Sequence, residues 1–475
     1  MYLLYNFLLL SLLILASPFW IYKVLTTEKY RKGFWKKLLP ALSPQITKGK
    51  EHFPPLQGEG QGGDGLSSGG LCLHIHAVSV GEVIAAVPLI KELKKRHPGI
   101  RLVLSTVTPT GNDVACKRLP EIDQIVYFPF DLPWSVRRFL KRTRPDLFIA
   151  VETELWPNFL RQVKLSGART LIINGRISPH TFRGYSRIRP FMKRVLAYVD
   201  FFCMQSEEDA RRIRAIGAPE RAVQVTGNMK YDQGFIDIDK QVLKEKRELF
   251  GLEECDKVII AGSTHRGEDE MIVASYKACL KKEKGDDENT LPFKGRDRVG
   301  MGLPSNEKIR LIIVPRHPER ANEIEEIIRT QGLESIKRTL LDNCGKDNMP
   351  PNPVIIVDTI GELATLYSLA TLVIIGGSFI PHGGQNPLEA LYYKRPVIFG
   401  PHMFNFREIA EEILSCGTGI QVESGEELSR ALRGLIHDIV QQREMGEKGY
   451  QIIVRNRGAV ERNLAIVEKL LQNLS

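Results

Sequence analysis

The chain repeats one pattern in two series: a short run of β-branched and aliphatic residues, then a longer amphipathic stretch. In the first half the strand-like runs are LCLHIHAV, RLVLSTVT, QIVYFPF, DLFIAVE, TLIINGR, FFCMQS and VQVTGN. After about residue 240 the pattern restarts with KVIIAGST, LIIVPRH, VIIVDT, LVIIGGS, PVIFGP and GIQV. Near-continuous apolar strands that alternate with helices belong to parallel sheets covered on both faces. Two such series predict an α/β protein with two Rossmann-like, doubly wound domains. A length of 475 residues, too great for one hydrophobic core, agrees.

The expected divisions are a membrane anchor over residues 1–22, a basic juxtamembrane segment and Gly-rich linker over 23–70, an N-terminal domain over 71–235 and a C-terminal domain over 236–475. Residues 1–22 carry no charge and have about the length that crosses a bilayer core. The basic residues Lys23, Lys29, Arg31, Lys32, Lys36 and Lys37 follow, which predicts that the body lies on the cytoplasmic side. Asn6, Ser11, Ser17 and Pro18 weaken the span and leave an interfacial helix as the alternative. Either way the body is expected to work at a membrane surface. The linker contains Gly58-x-Gly60-x-x-Gly63, but no strand precedes it and no helix follows in register, so it is not a dinucleotide site. A polar insert near 281–307 reads as a surface loop. The net charge of +10 favours anionic partners. Seven scattered cysteines without a C-x-x-C pair read as reduced core residues.

In doubly wound sheets, ligands bind beyond the carboxyl ends of the strands. Six places there carry chemistry. Ser79-Val80-Gly81-Glu82 follows the first strand. It has the form of a capping box, which on this segment alone is the better reading. As a catalytic group, Glu82 would gain from the positive end of the helix macrodipole, which keeps a general base ionised. Glu152 and Glu154 follow the fourth strand, in VETELWPN, where a solvated turn with Trp156 in the core and a working pair of acids are equally good readings. Lys230, in GNMKYD, follows the last strand of the first series; a surface lysine is the commoner fate, whereas in a cleft between domains it would neutralise a phosphate. In the second series, Pro315-Arg316 offers a bidentate donor for an anion, and Gly361-Glu362-Leu363 lets a ligand approach the backbone closely. The run GGSFIPHGGQNPLEA predicts a helix start, with Asn386 as N-cap, Pro387 at the first helical position and Glu389 near the third. Its glycines would leave backbone N–H groups open to a phosphate or sugar. No P-loop motif occurs. His74 and His76 share one strand face without a third ligand and read as core; Asp237-Ile238-Asp239 reads as connector.

Taken in order, SVGE, TPTG (108–111), VETELWPN, GNMKYD, STH (263–265), PRHPER, GEL, GGSFIPHGGQNPLEA and GPHMFNF (400–406) resemble the 3-deoxy-D-manno-octulosonic acid (Kdo) transferases of lipopolysaccharide assembly. The resemblance covers nearly the whole chain apart from the linker and the polar insert. It implies the GT-B architecture, two Rossmann-like domains facing a cleft, with the acceptor mainly on the first and the nucleotide sugar on the second. It implies transfer of Kdo from CMP-Kdo to an anionic lipid A precursor, lipid IVA, with inversion, at the cytoplasmic face of the inner membrane. Glu82 is then the general base, and Glu152 and Lys230 stabilise the transition state. Pro315, Arg316, Gly361, Glu362, Leu363, Asn386, Pro387, Leu388 and Glu389 bind CMP. No metal, cofactor or nucleic acid is expected. The alternatives are another membrane-associated GT-B transferase or epimerase using a UDP-sugar, and a non-catalytic module that binds anionic lipid.

Overall fold

The computed structural model describes residues 1–26, 70–233, 235, 237–280, 308–342 and 349–474. The Gly-rich linker up to residue 69, the basic residues 29–37, the polar insert 281–307 and Cys344 lie outside them. The chain divides into two compact units, residues 1–234 with 456–475, and residues 235–455.

In the first unit the strands are β1 (Cys72–His76), β2 (Arg101–Thr106), β3 (Gln124–Tyr127), β4 (Leu147–Val151), β5 (Arg169–Gly175), β6 (Phe201–Met204) and β7 (Val223–Val225). They pair in parallel in the order β3-β2-β1-β4-β5-β6-β7, so the winding reverses between β1 and β4. Side chains alternate across a strand, and the alternation sorts the core into two layers. Leu73, Ile75, Leu147 and Ile149 face one cluster, joined by Leu89 and Leu93 of the helix Val80–Arg96. Phe148 and Ala150 face the other, an aromatic layer with Phe128, Phe139 and Phe159. His74 and His76 belong to that aromatic layer: both are fully buried, both reach the Ser105 hydroxyl, and the His76 ring stacks 3.8 Å from Phe128. Burial pushes His76 down to about 3, so both are neutral core groups, as their sequence context predicted.

The second unit contains β8 (Lys257–Thr264), β9 (Ile309–Pro315), β10 (Ser335–Lys337), β11 (Val354–Ile356), β12 (Leu372–Ile375), β13 (Val397–Phe399) and β14 (Gly419–Gln421), in the order β10-β11-β9-β8-β12-β13-β14. All its pairings are parallel, and the winding reverses between β8 and β12. Of the fourteen strands among the described residues, β10 is the one the apolar pattern did not reveal. It is three residues long, lies at the sheet edge and holds a lysine, so little apolar signal marks it.

Two expectations change. The last helix, Ala459–Gln472, belongs to the first unit, although the sequence series ran the second domain to residue 475. Leu464, Val467, Leu470 and Leu471 complete the β1–β4 core, and Asp232 accepts hydrogen bonds from the N–H groups of Gly458 and Val460 at that helix's start. The expected transmembrane anchor is corrected as well: among the described residues no helix is long and apolar enough to cross a membrane. The helix Tyr2–Thr26 instead docks by polar atoms. The Tyr5 hydroxyl donates to Asp131 at 2.8 Å, Asn158 donates to the Asn6 side chain at 2.6 Å, and Arg161 lies over the Tyr2 ring. Leu3, Phe7, Leu12 and Leu15 remain exposed.

Candidate active site

In the first unit, the strand order brings the loops after β1 and β4 side by side. Glu82 opens the helix Val80–Arg96 and is 7% exposed. Its carboxylate accepts from the Val78 N–H at 2.7 Å and from the Ser79 hydroxyl at 2.9 Å, while Ser79 itself caps nothing with its side chain. Neither half of the capping box is formed, because the Glu82 carboxylate reaches the N–H of Val78, one residue before the N-cap Ser79. The macrodipole expectation fails. Burial, then the nearby Glu152, and also Glu154 push the Glu82 carboxyl up to about 8, against the opposing pull of its two hydrogen bonds. Desolvation of a carboxylate outweighs a half-charge at a helix end.

Glu152 sits just past β4 in the left-handed region, φ 60°, a conformation that costs a non-glycine residue about 1 kcal/mol or more. The turn is held there: the Glu152 N–H donates to Ile173, and the Thr153 hydroxyl exchanges hydrogen bonds with Arg176. Glu154, largely buried, is also raised by burial and by Glu152. Lys230 approaches Glu152 at 3.8 Å. It rides on the short 3-10 turn Met229–Asp232, whose start is capped by Asn228 and whose Met229 N–H donates to Asn174. Three separate segments thus bring Glu82, Glu152, Glu154 and Lys230 together. Asn174 (φ 52°) and Asp232 were missed as positioning groups. The signal for Asn174 was its place at a strand's carboxyl end, in TLIINGR; Asp232 had none, because its partners are more than 200 residues away.

In the second unit the loops after β11, β9, β8 and β12 leave one edge of the sheet in that order. Pro315 ends β9, and Arg316 follows, exposed, its N–H bonded to Thr264. Gly361 (φ 97°) precedes Glu362, which caps no helix end with its side chain but pairs with Lys246 and Arg338 and accepts from the Thr359 hydroxyl. Those partners hold its carboxyl below the usual range, so its side chain is already committed. The helix at the NPLEA motif runs Leu388–Tyr392, with Pro387 as its N-cap and the Asn386 side chain accepting from the Leu388 N–H. The predicted start is therefore one residue early. Glu389 lies in its first turn.

The glycine stretch departs further from expectation. The N–H groups of Gly377 and Phe379 donate to Glu268, and those of Gly376, Gly384 and Gln385 donate to backbone carbonyls. These groups are not open to a phosphate. Glu268 also accepts from the His265 N–H, so one fully buried carboxylate ties the end of β8 to the turn after β12. The glycines have a different reason: a Cβ on Gly376 would lie 2.4 Å from the Ser263 carbonyl oxygen. Around this knot lie His265, His317 and His382, with Gln385 bonded to His265. Sequence reasoning quoted these histidines in motifs without giving them a role. Asp237 and Asp239 lie outside both groups; Asp237 accepts from Tyr392 and Asp239 caps the helix Lys240–Leu249. Among the described residues no group of three or more His, Cys, Asp or Glu side chains has metal-binding geometry.

Residues 47–233 match the family model for 3-deoxy-D-manno-octulosonic-acid transferase (kdotransferase). The chain is 33% identical to the 3-deoxy-D-manno-octulosonic acid transferase of Haemophilus influenzae, over 84% of this chain and 87% of that one. It is 27% identical to the transferase of the same name from Chlamydia pneumoniae, over 96% and 94%. A solved glycosyltransferase from Rickettsia africae superposes with a TM-score of 0.52 at 15% identity, covering 86% of this chain and all of that one, a likeness of fold alone. At that identity and coverage to the Haemophilus enzyme, the chain belongs to the 3-deoxy-D-manno-octulosonic acid transferase family and is a glycosyltransferase.

Proposed function

We propose that this chain transfers Kdo from CMP-Kdo to a lipid A precursor, lipid IVA, with inversion, in lipopolysaccharide biosynthesis. The observation that carries the mechanism is the buried Glu82 beside Glu152, with a carboxyl pushed up to about 8. A base with that affinity for protons takes one from an alcohol in the transition state far better than an ordinary surface carboxylate. The acceptor hydroxyl gives its proton to Glu82 as its oxygen attacks the anomeric carbon of Kdo. The bond from that carbon to the phosphate oxygen breaks, and CMP leaves with the electron pair. Attack opposite the leaving group inverts the centre.

Glu152 and Lys230 serve this step electrostatically. The Glu152 carboxylate raises the basicity of Glu82 and favours the positive charge that builds on the sugar. Lys230, held 3.8 Å from Glu152, offers a cation to the departing phosphate. On the second unit, Arg316 is an exposed guanidinium at a strand end, suited to the single phosphate of CMP. Pro315, Gly361, Leu363, Asn386, Pro387 and Leu388 would shape the nucleotide's surroundings, with Glu389 on the first turn of its helix. Glu362 would take part through its backbone, because its side chain is occupied by Lys246 and Arg338. A monophosphate leaving group needs less neutralisation than a diphosphate, so cations of the chain suffice and EDTA should leave turnover unchanged.

The acceptor is an anionic lipid, and the net charge of +10 suits it. The exposed Leu3, Phe7, Leu12 and Leu15 fit a helix lying in a membrane interface, with the enzyme at the cytoplasmic face of the inner membrane. Incubation with CMP-Kdo and lipid IVA, followed by mass spectrometry of the lipid, tests the reading. Added Kdo mass and released CMP are expected; UMP or UDP release from a UDP-sugar instead, or no transfer, would overturn it.

A further inference from the structure

Three imidazoles meet at the strand ends of the second unit. His265 follows β8, His317 follows β9 and His382 lies in the turn after β12. The rings of His265 and His382 are 3.9 Å apart between centroids, tilted by 38°, and the ring of His317 stands edge-on to His265 at 6.1 Å. His265 is buried, whereas His317 and His382 are exposed. The Gln385 side-chain amide lies 3.1 Å from His265 Nε2; an amide N–H donates, so that ring nitrogen accepts and Nδ1 keeps the proton of the neutral ring. Glu268 fixes the same residue through its main chain.

The charged groups that face this cluster are mostly positive. Arg316 and Arg320 approach from the loop after β9, and with burial and the two other histidines they push His265 down to about 4. The acids nearby are occupied: Glu268 accepts backbone N–H groups, Asp269 and Glu323 pair with Arg320, and Glu319 lies 3.6 Å from His317. Histidines packed together beside two guanidinium groups do little for stability, because each opposes protonation of the next. A bound anion reverses that cost.

The proposed donor carries two anions on one carbon. Kdo is an ulosonic acid, so its carboxylate and the phosphate of CMP are both attached at the anomeric centre. Two neighbouring anion subsites are therefore required, and Arg316 accounts for one. We propose that His382 and His317 hold the sugar carboxylate, with His265 and Gln385 positioning the His382 ring. The proposal rests on the donor reading above. It makes the cluster a specificity element: a nucleotide sugar without an acid at the anomeric carbon would leave it unsatisfied.

The test uses the full chain with His382→Ala and His317→Ala, both at exposed positions, and with His265→Gln as a check on positioning. The KM for CMP-Kdo is compared with the inhibition constant of CMP, which lacks the carboxylate. Each Ala variant should raise the donor KM about tenfold, as loss of one charge-assisted hydrogen bond does, while CMP inhibition stays within about twofold. An equal weakening of CMP, or an unchanged donor KM, overturns the proposal. Ligand-observed NMR with free Kdo and its methyl ester separates it from the donor reading. Binding of the acid but not the ester, lost in His382→Ala, supports the subsite even if CMP-Kdo is not turned over; equal binding of both overturns it.

Discussion

The two units share a parallel seven-stranded sheet with a winding reversal, yet their strand-end loops have opposite electrostatics. In the first, Glu82, Glu152 and Glu154 crowd together with one nearby lysine. In the second, Arg316 and Arg320 gather around three histidines, and the buried acid Glu268 is spent on backbone N–H groups. Burial acts the same way in both, disfavouring whichever charge is present. It makes the first cluster proton-hungry, and in the second it keeps His265 neutral beside the exposed Arg316. A topology decides where a ligand sits; the side chains decide which charge it brings.

The largest expected effect breaks the comparison at its acidic end. Glu82→Ala should lower turnover by about 10²–10⁴-fold while calorimetry finds CMP affinity unchanged. Turnover within threefold of the parent would remove the base assignment. For the parent, kcat/KM should climb as pH rises through about 8, since Glu82 must lose its proton to act.

At the cationic end, Arg316→Ala should weaken CMP binding by roughly tenfold to a hundredfold, the loss of one charged hydrogen-bond donor, with Arg316→Lys retaining part. If CMP affinity is unmoved, Arg316 does not meet the nucleotide.

Stability sharpens the same contrast. A carboxyl raised in the folded state gives stability that is full below its unfolded value and is lost as pH climbs through the folded value. For Glu82 that window runs from its ordinary value of 4.5 to about 8. Glu82→Gln, which stays neutral, should therefore lose less stability than the parent between pH 5 and 9 in urea melts. A parallel pair of pH curves would mean that Glu82 is not desolvated.

The smallest effect concerns the N-terminal helix. Tyr5→Phe removes the hydrogen bond to Asp131 and should cost about 1 kcal/mol in the same assay. No change would mean that the polar face of this helix does not hold it on the first unit.

Much of this was legible in the residue order. Thirteen of the fourteen strands declare themselves as apolar runs, because a strand buried on both faces needs continuous apolar side chains. The motif order carried the family. The sequence also located Glu82, Glu152, Lys230 and Arg316 at strand ends, since that follows from the winding alone. Their state was not legible. The charge on Glu82 depends on Glu152, 70 positions later, and on how deeply both are buried, and no local pattern reports either. The N–H groups of GGSFIPHGGQ looked like open phosphate donors until Glu268, more than 100 residues earlier, proved to take those of Gly377 and Phe379, and backbone carbonyls those of Gly376 and Gly384. The N-terminal helix looked like a span because composition reports apolar content; its Tyr5 and Asn6 contacts with Asp131 and Asn158 exist only in three dimensions.

The sequence by itself thus determined the two sheets, the family and the residue types at each strand end, all properties of local order and spacing. Tertiary structure alone decided which acid is protonated, which backbone groups are free to bind, and that the last helix returns to the first unit. Those are matters of desolvation and of contacts between distant segments, and they arise only once the chain has closed around them.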